Sequence, residues 1–255
     1  MKKLILSLII IFSANLYSQE PALDSIALAE VTVTTKVVDI ARERKTPVAF
    51  SSVNAQEIDV KGGNLEIPEY LKRTPNLYQT PSTAGGYGDG ELYLRGFDMN
   101  NVSVVINGQP VNDMENGWVY WSNWAGLSDL TSSIQIQRGL SASSLAVPSV
   151  GGVVSVNTRA SELEPSTRLK FLQGNDNYQK MSFSHNTGVN ERGWSSSYLL
   201  SLWEGDGYLN GTEGAGITYA MTVGYTPRGG DHEFNLSILG AGQWHGQAYY
   251  TPMLE

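Results

Sequence analysis

The chain contains no cysteine, so it has neither a disulfide scaffold nor a thiolate metal centre. Charge is scarce, at 16% of residues against a usual quarter or so. With 41% hydrophobic residues, however, the composition is too apolar for a disordered chain. No stretch reaches the ~18 consecutive apolar residues that a spanning helix needs, which excludes an α-helical membrane protein. Basic residues are outnumbered 17 to 25, and the net charge of −8 argues against a nucleic-acid partner. What the chain has is glycine, 27 in 255 residues without the triplet period of collagen, and 10% aromatics. The length allows one or two domains.

Lys2 and Lys3 precede the apolar stretch Leu4–Phe12, which only Ser7 interrupts, and the more polar Ser13–Ser18 follows. Residues 1–18 therefore read as a secretory signal peptide cut before Gln19. Export would place the chain in the periplasm, the outer membrane or the medium.

Residues 19–45 carry one β-branched stretch, running through Glu30, Val31, Thr32, Val33, Thr34 and Thr35, and then the charged run Arg42–Lys45. Threonine and valine favour extended backbone. Such a strand could add to the sheet edge of another protein, or be the first strand of the next domain. Composition leaves both readings open.

Residues 46–163 alternate turn chemistry with short strands. A helix is expected over Ile67–Arg73, with Pro68 in its first turn and Thr74-Pro75 ending it. Strands are expected at Leu92–Leu94, Val102–Ile106, Ile134–Gln137 and Val153–Val156, and Asn107-Gly108 is a hairpin turn signal. This is a small mixed α/β unit.

Residues 164–255 change character. Ile217, Tyr219, Met221, Val223 and Tyr225 alternate with Thr218, Ala220, Thr222 and Gly224, and Phe234, Leu236 and Ile238 repeat the pattern. Segments of about 9–11 residues match tilted membrane strands. Thr187–Gly193 and Pro227–Asp231 are expected as short turns, Glu204–Ala215 as a longer loop, and Trp194, Trp203, Tyr225 and Trp244 as an aromatic girdle. Soluble β-sandwiches alternate too. The small polar partners nevertheless suit a wet lumen better than a dry core.

The order of motifs resembles a TonB-dependent outer-membrane receptor. Ala29–Thr35 is similar to the TonB box. Leu94-Arg95-Gly96-Phe97, Val104–Asn112, Ile134–Gly139 and Gly151–Thr158 follow the plug-domain pattern. The resemblance implies a mixed α/β plug domain over 46–163, followed over 164–255 by antiparallel strands of an incomplete transmembrane β-barrel. About five strands stand there, where a full member has about 22. It also implies a receptor, not an enzyme, that lies in the outer membrane among its lipids. Such a receptor binds a scarce small molecule, such as a ferric siderophore or similar iron complex, and imports it with energy delivered by TonB and its inner-membrane complex. No cofactor is implied. Residues 30–35 would pair with TonB by strand addition, and Arg95 and Arg138 match plug arginines that pair with barrel glutamates.

Ligand contact would fall to outward loops, with Tyr87, Asp98, Asn116, Trp118, Tyr120, Trp121 and Trp124 as candidates and His245 at the start of a later loop. The tryptophans could stack on a ring or attract a cation, or equally pack against the barrel wall. Asp113 and Glu115 form no catalytic constellation, and the three histidines lack metal-ligand spacing. The rival reading is a secreted all-β carbohydrate-binding or carbohydrate-active protein that uses the tryptophans as a sugar platform.

Overall fold

The computed structural model describes residues 49–60, 66–80, 90–139, 149–227 and 232–246. The signal segment, Glu30–Thr35 and Tyr87 lie outside the described residues.

The first body is assembled from short pieces. Strand β1 (Phe50–Asn54) runs into helix α1 (Ala55–Val60), where the Asn54 side chain accepts a hydrogen bond from the Glu57 amide at 2.8 Å. The helix expected over Ile67–Arg73 is present in two pieces: α2 (Ile67–Tyr70) tightens into a 3-10 turn at Leu71–Arg73. Pro68 sits in its first turn, and Glu66 and Glu69 close a reciprocal capping box at the N-terminus. Strands β2 (Leu77–Thr80) and β3 (Glu91–Leu94) form a separate antiparallel pair.

The four expected strands are present, β4 (Val102–Ile106) with the expected bounds and β3, β6 (Ser133–Arg138) and β7 (Gly152–Asn157) with slightly wider ones. β4 and β7 are buried at every residue and pair in parallel, as fully covered parallel strands do. Asn107 and Gly108, at φ of 50° and 86°, turn β4 into the short β5 (Gln109–Pro110). Positive φ at both central residues is what a tight hairpin turn demands. The resulting sheet has the order β1-β6-β7-β4-β5, which leaves β1 and β5 at its edges. Its core includes Ile67, Leu71, Leu92, Leu94, Val104, Trp121, Ile134, Ile136 and Val154, all at most 1% exposed.

The second body is a five-stranded meander of β8 (Ser166–Gln173), β9 (Gln179–Asn186), β10 (Trp194–Gly205), β11 (Gly214–Tyr225) and β12 (Phe234–His245). Its register sorts side chains by face. One row across the strands is Leu169, Phe183, Leu200 and Tyr219, and the next is Tyr198, Met221 and Ile238. In these rows Leu169, Tyr198, Leu200, Tyr219, Met221 and Ile238 are exposed large apolar side chains. The opposite face turns Ser182, Ser184, Asn186, Ser195, Ser197, Ser201, Thr218 and Thr222 inward, and all are buried. On that face Leu199, Ala220 and Leu239 stand in register and close over Leu130.

Two expectations are corrected. Trp194 and Tyr225 do pair at one rim, with centroids 4.7 Å apart, and Trp244 points outward, but Trp203 is not part of a girdle. Its position in the alternation turns it inward, where it is 8% exposed and stacks on Tyr178 at 6.2 Å. Nor is there a long loop at Glu204–Ala215. Both end residues are in strands, and the connection 206–213 equals 226–233 in length. Glycine-rich sequence there lengthens the strands instead, because Gly214 and Gly216 continue β11, and Gly216 leaves room for the Trp203 ring.

Candidate functional site

Two loops of the first body come together beside the start of β4. Asp98 opens the 3-10 turn Met99–Asn101 and accepts a 2.6 Å hydrogen bond from the Asn101 side chain. Asn112 fastens the second loop to β4. Its Oδ1 accepts from the Val104 amide at 2.8 Å, and its Nδ2 donates to the carbonyls of Val102 and Gly117, both at 2.9 Å. Gly117, at φ +75°, lies against Asn100, and its left-handed backbone is one that other residues adopt only with strain.

Within the second loop Asn116 is the organiser. Its Oδ1 accepts from the Trp118 amide at 2.8 Å, and its Nδ2 donates to the Tyr120 hydroxyl at 2.8 Å. Trp118 and Tyr120 are 37% and 39% exposed. Asp98 and Asn116 are exposed as well, so four of the candidate ligand residues share the exposed part of this loop pair.

The remaining candidates go elsewhere. Trp121 is 1% exposed inside the core, out of reach of any ligand in this state. Trp124 packs half-buried against the same core. Their 3-10 turn leans on β12, where the Gln243 side chain donates to the Ser122 carbonyl at 3.0 Å. The aromatic run thus divides into a presented front and an anchored back. His245 ends β12 opposite Gly214 on the inward row. Among the described residues no group of histidine and acid side chains is placed to hold a metal ion.

The two arginines also separate. Arg138 binds within its own body, donating to the Ser51 hydroxyl at 2.9 Å and to the carbonyls of Phe50 at 3.2 Å and Pro75 at 3.3 Å. It therefore staples edge strand β1 to β6. Arg95 is exposed at φ 58° and lines an open groove of about 620 Å³ with Asn76, Leu77, Tyr78, Tyr93 and Gly96. In that groove the hydrogen bond from the Tyr93 hydroxyl to Glu91 holds the phenol pKa above its ordinary value.

Charged contacts between the two bodies were not foreseen from sequence. Lys180 of β9 lies 2.9 Å from Asp129, and Lys170 of β8 lies 2.7 Å from Asp59 and 3.5 Å from Asp129. Arg159, after β7, reaches Glu233 in the β11–β12 connection at 3.4 Å, and Ser161 also donates to Glu233. Thr218 adds a 2.8 Å hydrogen bond to the Ala125 carbonyl. A signal existed: two-residue alternation puts Arg168, Lys170 and Lys180 on the otherwise uncharged inward face.

A family model described as the TonB-dependent Receptor Plug Domain matches residues 42–153, which span the whole loop pair and the sheet beneath it up to the start of β7. Residues 42–153 thus match the plug domain of TonB-dependent receptors, and the chain as a whole is similar to such receptors. It is 23% identical over 236 residues to the probable TonB-dependent siderophore receptor PirA of Acinetobacter baumannii, covering 88% of this chain and 31% of that one. It is 27% identical over 128 residues to the vitamin B12 transporter BtuB of Vibrio cholerae, covering 50% of this chain and 20% of the other. The ferric-catecholate import receptor Fiu of E. coli K12 shares the fold at a TM-score of 0.59 and 15% identity, over 78% of this chain and 28% of Fiu. The chain thus spans about a third or less of the curated relatives it matches. The first body is the plug, and the meander is part of the barrel wall.

Proposed function

We propose that the protein is an outer-membrane transporter, not an enzyme, which takes up a scarce small molecule with energy delivered by TonB. One observation carries this reading: a wall of strands keeps bulky apolar side chains on its outer face while its Ser/Thr-rich inner face is covered by the plug. Outward rows such as Leu169–Leu200–Tyr219 suit lipid, since a soluble sandwich would cover them. Beyond the outer membrane's own lipids, the partners are TonB, engaged by residues 30–35, and a ligand. An iron–siderophore complex is the class favoured by the relatives' names. Asp98, Asn116, Trp118 and Tyr120 form the plug's contribution to ligand contact, with Tyr87, Trp124 and His245 as further candidates. Arg95, beside its open groove, and Arg138 are the plug residues proposed to latch to barrel glutamates.

Two measurements test this together. The full-length protein should remain with the detergent-extracted outer membrane, and a deletion strain should lose growth on limiting iron supplied as a particular siderophore. Recovery in the soluble periplasmic or extracellular fraction overturns the reading.

A further inference from the structure

The outer face of the wall is apolar in most rows and polar in one corner. Two neighbouring outward rows hold Met221, Ile238, Val223 and Leu236 on β11 and β12. On β8–β10 the same rows hold Thr167, His185 and Tyr198 in one, and Thr187 and Ser196 in the other. Closing the wall around the plug leaves this face outside, so no further strand of the same chain covers it. Most of the corner is satisfied within the chain. The Thr187 hydroxyl accepts from the Ser196 amide at 2.9 Å. Thr167 Oγ1 and His185 Nδ1 lie 2.8 Å apart, and the His185 ring stacks on Tyr198 with centroids 6.4 Å apart. His185 Nε2 and the Tyr198 hydroxyl are left without a partner among the described residues, and Tyr198 is 39% exposed.

Depth decides what can satisfy these two groups. Trp194 and Tyr225 mark the rim, and Tyr198 stands four residues further along β10. That is about 13 Å of strand, or about 10 Å of depth at a tilt of about 40°. The apolar band of a barrel is about 25 Å tall, so both groups lie near its middle. Headgroups and bulk water do not reach there, and an unmet polar group in hydrocarbon is costly. The partner is therefore protein. The corner also carries its own complement. With Nδ1–H donating to Thr167, His185 Nε2 is an acceptor, while the Tyr198 hydroxyl is a donor. The two residues are register partners, so they lie at nearly the same depth. Copies inserted the same way into one membrane are related by a two-fold axis along its normal, which brings together groups of equal depth.

We propose that this corner is a homodimer interface inside the membrane. Across the two-fold axis each copy's Tyr198 hydroxyl donates to the other copy's His185 Nε2, and Ser196 and Thr187 stand beside that contact. Thr167 acts as a positioning residue, because it fixes which ring nitrogen is free to accept. The interface goes beyond the transport reading: it needs the wall to lie in lipid, but neither a ligand nor TonB.

The test uses the full-length receptor in its own outer membrane. Ser196→Cys treated with a short bis-maleimide should give a crosslinked dimer, and Leu236→Cys, two strands away in the same row, should not. Adding His185→Ala and Tyr198→Phe to Ser196→Cys should abolish the crosslink. In detergent, Tyr198→Phe keeps the ring and its stacking but removes two equivalent hydrogen bonds per dimer. It should weaken association about tenfold, read by analytical ultracentrifugation. A crosslink that survives the double substitution, or that joins the chain to a different protein, overturns the interface. So does a monomer that retains a phospholipid or lipopolysaccharide molecule in native mass spectrometry and loses it on the double substitution. A receptor that is monomeric in the membrane yet imports its ligand refutes the dimer and leaves the transport reading standing. A dimer that imports nothing does the reverse.

Discussion

Asp129 offers the sharpest test of how the plug is held. Its carboxylate sits 2.9 Å from the Lys180 ammonium, and both side chains are 8% exposed. Converting Asp129 to Asn keeps the shape but strands an ammonium that water can hardly reach. Breaking a buried pair from one side costs about 3–5 kcal/mol. The residual exposure and the amide oxygen that remains point to the lower end, about 3 kcal/mol. Asp59→Asn removes an equally short contact, 2.7 Å to Lys170, yet its partners stand in water, so the cost is about 0.2–1 kcal/mol. Thermal and denaturant unfolding of the purified receptor, followed by tryptophan fluorescence, should therefore separate the two variants by about 2 kcal/mol or more. Raising salt should weaken only the Asp59 contribution. Replacing both Asp129 and Lys180 with apolar residues of similar size should recover most of the loss. If the two single variants cost the same within about 0.5 kcal/mol, or the apolar pair is as poor as Asp129→Asn, burial does not govern this seam.

Tyr70, whose hydroxyl bonds to Ser128, has its pKa pushed up to about 12, chiefly by burial. It should stay protonated when exposed tyrosines ionise near pH 10, and its stabilisation should be lost as pH rises from there through 12, readable by ultraviolet titration against Tyr70→Phe. Asp59 is held below its ordinary 3.8, first by the hydrogen bond from Lys170, so its contribution is complete above that value and is lost as pH falls through the lower one. A fluorophore on Val60→Cys, the sole thiol in a chain without cysteine, should report α1 unchanged between pH 7 and about 4 and loosened below. Trp118→Ala should weaken ligand binding about tenfold with stability unchanged, whereas Trp121→Ala should cost about 3–5 kcal/mol of stability; the reverse pattern would relocate the ligand face. Val33→Pro should leave ligand binding intact and abolish uptake, because a proline removes a ladder donor; normal uptake would place the box elsewhere.

What was legible in the sequence follows from where a local signal was strong. β4 and β7 show as β-branched runs, and the Asn107-Gly108 turn needs only its own two residues, so both could be read directly. The alternation of β11 and β12 marked out the two faces of the wall. β1 could not be read, because Phe50–Asn54 is polar and short and becomes a strand only through β6 and the Arg138 staple. Trp203 was misplaced because nearness to a segment end, not its position in the alternation, was used to assign it. The tryptophan run has no periodicity that separates Trp118 from Trp121. That separation is imposed by Asn116 and Asn112 on one side and the core on the other. The clasping acids were invisible for a similar reason: Asp59 and Asp129 are ordinary helix and turn residues until the wall's cations arrive.

The two kinds of contact in the molecule differ enough to say where it yields. Inside the plug, apolar side chains such as Leu71, Leu92, Val104 and Ile134 are completely buried, and the sheet is knitted by paired strands. Between plug and wall, among the described residues, the apolar contact is small: Leu130 meets Leu199, Ala220 and Leu239, Leu239 also touches the plug's main core, and polar contacts include hydroxyls, the Gln243 amide and a few ion pairs. Polar contacts contribute about 1 kcal/mol each because water competes for them in the separated state, whereas each large apolar side chain withdrawn from water contributes about 1.5–3 kcal/mol. The seam is therefore the weaker bond, and a wet lumen makes it weaker. Tension applied ahead of Phe50 meets β1 first, an edge strand paired on one side, and then α1 with its exposed Asp59 clasp. The inner clasp at Asp129 lies much further along the chain, beyond four strands of the plug, and so is loaded last. A pull too small to unfold the plug's core can thus open its N-terminal edge while Lys180 still holds the remainder against the wall.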